Sequence, residues 1–133
     1  DNMTEEQLKE LKQAANEFKR AAEAEDLLAL GAADMKFHVC IYESTGNRRL
    51  QQMLLNLREP MYRYRMEYMK DKRMYRQIIE EHDAIRKAIK KKDKEQAGIF
   101  NRQHIEKERK CKDTAEHTGA ASCSRCGRRR VFL

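Results

Sequence analysis

Turn-forming residues are scarce in this chain. It has one proline and five glycines in 133 residues, and no tryptophan. That scarcity excludes a sandwich or barrel built on many tight turns, and also collagen-like and Pro/Gly-rich disordered chains. No run of about 18 uninterrupted apolar residues occurs, so no segment reads as a membrane span. The opening stretch, Asp1 to Glu10, is acidic and polar and does not read as a secretory signal. Four cysteines are present, three of them beyond residue 110. Without a signal segment they do not suggest a disulfide framework, and a reducing, cytoplasmic setting is expected.

Charge is plentiful but mixed. Lys and Arg number 29 against 22 Asp and Glu, a formal +7. Residues 111–133 hold five basic groups against two acidic ones, leaving only a slight excess spread over the rest. Such a balance describes a surface laced with ion pairs rather than a nucleic-acid patch. The length suits one domain with a modest core.

Apolar spacing is helical nearly throughout. Leu8, Leu11, Ala15, Phe18 and Ala22 mark a first helix, with Thr4 and Gln7 spaced as a capping box. Leu27, Leu30, Asp34, Phe37 and Ile41 mark a second, ending near Gly46-Asn47. A third is expected from about Arg48 through Tyr68, with Leu50, Leu54, Leu57, Met61, Tyr64 and Tyr68 inward and a kink or break at Pro60. A fourth runs from about Arg73 to Lys91, and a fifth follows Asp93. The pattern stops at Cys111, and the Gly-, Ser- and Arg-rich segment beyond it reads as a disordered tail. The expected fold is all-α: an antiparallel bundle of about five helices over residues 1–110.

The polar residues that interrupt those stripes carry the chemistry. Asp34 takes a core step on the second helix, and His38 follows one turn later on the same face. His82 interrupts Ile78, Ile85 and Ile89, and His104 interrupts the face of Ala97 and Phe100. A lone histidine on an apolar face is more often a hydrogen-bonded core residue, and Asp34 and His38 could simply bond each other. Three helices with the same exception are harder to dismiss. A divalent cation would satisfy all four at once, since a buried carboxylate needs a partner and a buried imidazole needs both nitrogens engaged. Three imidazoles and a carboxylate suit zinc, and also nickel, manganese or iron.

Those residues also have a familiar order. Asp34-x3-His38, then Thr45-Gly46-Asn47-x2-Leu50, then Glu81-His82-x2-Ile85-x2-Ala88-Ile89-x3-Asp93-x3-Ala97, then His104, resembles the FCD domain. This is the helical C-terminal effector-binding domain of FadR-subfamily GntR transcription regulators. The resemblance covers about residues 1–110. It implies a metal held by Asp34, His38, His82 and His104, a small carboxylate effector beside it, and dimerisation. It further implies that DNA is bound by a separate winged helix-turn-helix, which is not found in this sequence, and the usual first helix of the domain is not found either. Asn47 matches the asparagine at the family's helix junction, with a plain helix cap as its alternative. Arg58 and Arg65, two turns apart on one helix face, are candidates to pair the effector's carboxylate, or are simply solvated.

Three rival readings stand beside it. A mononuclear metalloenzyme acting on a small organic acid would use the same four ligands, but no H-E-x-x-H and no second carboxylate cluster accompany them. Cys111, His117, Cys123 and Cys126 could hold zinc in the tail, although the spacing lacks the usual second pair. Nucleic-acid contact through Arg128-Arg129-Arg130 or Lys90-Lys91-Lys92 lacks any reading motif.

Overall fold

The computed structural model describes residues 3–118, with side chains as far as residue 107. All regular structure among them is helical: α1 (Glu5–Glu23), α2 (Leu27–Glu43), α3 (Arg48–Asn56), α4 (Arg58–Met69), a short 3₁₀ turn (Lys72–Met74), α5 (Tyr75–Lys90) and α6 (Lys94–Thr118). None is long and apolar enough to cross a membrane. Helix α6 runs past residue 110, where apolar spacing ceases. The tail ligands proposed above, Cys111, His117, Cys123 and Cys126, lie outside the described side chains, as do Arg128 to Arg130.

Local signals set the helix ends. Thr4 and Gln7 form the full reciprocal capping box of α1. Asp26, Asn47 and Asp93 accept from the backbone N–H three residues on, at Ala29, Leu50 and Gln96. The α1–α2 and α5–α6 corners turn through Glu25 and Lys92 in the left-handed region, closed by Asp26 N–H to the Ala21 carbonyl and Asp93 N–H to the Ala88 carbonyl.

The expected third helix is two. The break falls at Leu57, three residues before Pro60, so Pro60 sits in the first turn of α4, where its missing N–H costs nothing. A continuous helix would have driven the proline ring into the Asn56 carbonyl. The split also changes burial. Helix α3 contributes no buried residue: Leu50 and Leu57, expected inward, are exposed, as are Met53 and Leu55, while Leu54, Met61 and Tyr64 are half-buried and Tyr68 is buried.

Helix α1 packs along α2 and α5, α5 along α6, and α4 crosses α2. Gly31 lies at that crossing, where an added Cβ would press on the Met66 thioether and the Tyr62 ring. Two apolar clusters result. One gathers Phe18, Leu30, Met69, Tyr75 and Ile78; the other gathers Leu11, Ala14, Phe37, Cys40 and Ile85. Each fully buried Leu, Ile or Phe contributes about 1.5–3 kcal/mol by leaving water. Between the two clusters lies a polar group.

Candidate metal centre

Asp34, His38, His82 and His104 are all buried, and one ligand atom from each lies within 4.8 Å of the other three. Helix α2 supplies the first two from successive turns, α5 the third and α6 the fourth. The His82 ring bridges the apolar clusters. It stacks on Phe37 at 4.1 Å between centroids and meets the edge of Phe18 at 5.2 Å. Packing alone therefore fixes its orientation.

The distances describe groups that converge without satisfying one another. His82 Nε2 lies 3.3 Å from Asp34 Oδ1, and His38 Nε2 lies 3.6 Å from the same oxygen. Neither His82 nitrogen makes an aligned hydrogen bond, and His38 Nδ1 has no partner. His104 Nε2 faces His38 Nε2 at 3.2 Å. Orphaned buried nitrogens of this kind cost free energy, on the order of 1–3 kcal/mol each. A cation bound through bonds of about 2.0–2.2 Å would convert His82 Nε2 from an orphan into a ligand, beside His38 Nε2, His104 Nε2 and an Asp34 oxygen, after a small contraction of the ring of donors. The residues present thus fit a metal ion.

Charge favours the same conclusion. Burial pushes the Asp34 carboxyl up, but His38, His82 and the Arg65 guanidinium outweigh it and hold the carboxyl well below its usual range. Burial lowers the His38 imidazole to about 3, with the Arg65 charge acting in the same direction. His82 is lowered as well, because burial outweighs the opposing pull of the Asp34 carboxylate. One anion and neutral rings are the protonation states that a metal requires.

These shifts fix a pH dependence for the metal-free fold. An unfolded chain carries histidines that titrate near 6.5. Between that value and about 3 the unfolded state binds more protons than the native one. Stability is therefore full above pH 6.5 and declines as pH falls toward 3. Urea midpoints of metal-free protein measured from pH 7.5 to 4 should drop steadily, and a flat profile would mean that these rings are not buried in neutral form.

One contributor was not assigned from sequence. Glu81 Oε2 accepts from His104 Nδ1 at 2.7 Å, and Glu81 Oε1 accepts from Lys107 Nζ at 2.6 Å. Burial raises the Glu81 carboxyl, but His104 and Lys107 overcome that effect and lower it. With Nδ1–H donated to Glu81, the His104 lone pair sits on Nε2 and points into the cluster. The consecutive Glu81 and His82 do diverge on α5, yet the longer glutamate reaches across to α6. Glu81→Ala should weaken zinc affinity by about 10- to 100-fold, as read by competition with a chromogenic chelator.

The remaining candidates separate. Arg65 is buried, its Nε 3.6 Å from Asp34 Oδ2. Arg58 is exposed on its helix but lines a small cavity together with Arg65. Asn47 stands apart, exposed at the head of α3, where its Oδ1 accepts from Leu50 N–H.

The family model for the FCD domain matches residues 1–107. The chain belongs to this family, whose members are regulatory ligand-binding domains of GntR-type transcription regulators rather than catalytic domains. No curated protein and no solved structure matches the chain.

Proposed function

We propose that this domain senses a small carboxylate through a divalent metal held by Asp34, His38, His82 and His104, in a FadR-subfamily regulator. The observation that carries the reading is the convergence of four buried donors with His82 unsatisfied at both nitrogens. Zinc is the first choice for three imidazoles and one carboxylate, with nickel, manganese and iron as alternatives. The bound ion supplies a Lewis-acid anchor for an anionic oxygen. The protein supplies the rest: Glu81 orients His104, Phe37 and Phe18 hold His82, and Arg65 adds positive charge beside Asp34.

Signalling is a population shift in which the effector favours one arrangement of helices, or of a homodimer in the cytoplasm, and an attached DNA-reading domain responds. Elemental analysis of purified protein tests the site. One equivalent of metal is expected in the wild type and little in His82→Ala or His104→Ala. Unchanged content in both variants refutes it. Thermal-shift titration of small organic acids, run beside a turnover assay, separates a sensor from the metalloenzyme alternative: a sensor is stabilised without forming product.

A further inference from the structure

A cavity lies between α2, α3 and α4, bounded by Met35, Val39, Tyr42, Leu54, Arg58 and Arg65. Two of its wall residues neighbour the metal ligands. Arg65 lies against Asp34, and the Tyr42 ring is 6.2 Å from the ring of His38, one turn back on α2. The chemistry of its wall suits an acid with an apolar body. Aliphatic side chains surround two guanidinium groups and the buried Tyr42 hydroxyl, which has no hydrogen-bond partner. Its size does not suit one. The cavity measures ≈ 10 Å³, about enough for one water. An organic acid needs a wall to move.

Among the walls, α3 is the one built to do so. It is nine residues long and buries none of them, whereas α2 and α4 both carry buried residues on their inward faces. Both of its ends are breaks. Upstream, Gly46 turns at φ 66° between the α2 C-cap and Asn47. Downstream, the helix stops at Leu57, and Pro60 prevents it from fusing with α4. Gln51 Nε2 donates to the Glu43 carbonyl, and Leu54 and Leu55 face α2 across the cavity, with Leu54 half-buried. Segments with few buried apolar contacts open locally at free energies well below that of global unfolding.

We propose that α3 is a hinged lid over an effector chamber between α2 and α4, and that an acid reaches Arg65 and the metal only when α3 swings outward. This rests on the sensor reading above for the ligand, but not for the motion.

The natural thiol of Cys40 provides an internal reference. It is buried on the opposite side of α2, where it donates to the Gln7 carbonyl at 3.4 Å. Val39 borders the chamber. Zinc-loaded V39C is treated with iodoacetamide, and because residues 39 and 40 share a peptide the labelled position is assigned from fragment ions by tandem mass spectrometry. The introduced thiol should react at least 100-fold faster than Cys40, yet far slower than a free thiol. The added substitution L54G should accelerate it at least 10-fold and leave Cys40 unchanged. Equal rates at the two thiols, or no response to L54G, overturn the lid. M35C, on the same wall, replaces V39C if that variant does not fold.

Acetate, benzoate and citrate are then added as probes. An acid that raises the melting temperature should slow labelling at position 39, and one that stabilises without slowing it overturns the lid as the route of entry. If none of the three stabilises the protein, the carboxylate reading fails, while the two thiol rates still decide whether α3 opens.

Discussion

Zinc added in excess to metal-free protein should raise its thermal midpoint by about 10–15 °C. Linkage sets the scale. A ligand at about 1,000 times its dissociation constant stabilises the native state by about 4 kcal/mol, and a domain of this size gains about 3–4 °C per kcal/mol. The unfolded chain has no comparable site, since its ligands are spread from residue 34 to residue 104. In His82→Ala the shift should nearly vanish while the variant still folds. The substitution removes a ring whose two nitrogens are unsatisfied in the metal-free protein, so part of what is lost in packing against Phe37 and Phe18 is recovered. Scanning calorimetry of both proteins with and without zinc reads the difference. A full shift in His82→Ala would place the ion elsewhere.

Arg65→Met should give the second large effect, and one that depends on the metal. In the metal-free protein the buried Asp34 carboxylate has Arg65 as its cationic partner, with neutral rings around it. Removing one member of a buried charge pair costs about 3–5 kcal/mol, because the other charge is left in a medium that solvates it poorly. With zinc in place the carboxylate faces a second cation. The cost of the same substitution should then fall to below about 2 kcal/mol. Urea unfolding of wild type and Arg65→Met, each metal-free and zinc-loaded, completes the cycle. Equal losses in the two states would mean that Asp34 does not face the ion.

Much of the site was legible because its residues break a rule that the rest of the chain keeps. Asp34, His38, His82 and His104 occupy steps where Leu, Ile or Phe would normally stand, and helical periodicity alone places them inward. Arg65 could not be read the same way. It sits on a helix rich in Arg and Tyr, and its burial depends on α4 crossing α2 at Gly31, a contact between residues far apart in sequence. Glu81 could not be read from spacing either: it leaves α5 on a different face from His82, and its bond to His104 depends on α6 packing alongside. The apolar spacing of α3 identified a helix correctly yet not its environment, since periodicity reports which face is apolar and says nothing about what covers it. The division of the expected third helix followed from Pro60, with the break displaced to where the proline becomes the first turn of a new helix.

The position of His104 has a consequence for the end of the chain. Of the described side chains of α6, His104 alone is fully buried, and Ala97, Phe100 and Ile105 are only partly covered. Much of that helix's anchorage is therefore a coordinate bond waiting to be made, rather than grease. Stripped of its cation, the protein should fray from α6 inward while α1 and α2 stay closed, so amide exchange at residues 97–107 should respond to zinc far more than exchange at residues 11–21. The metal would then act as a rivet, fastening α6 to α2.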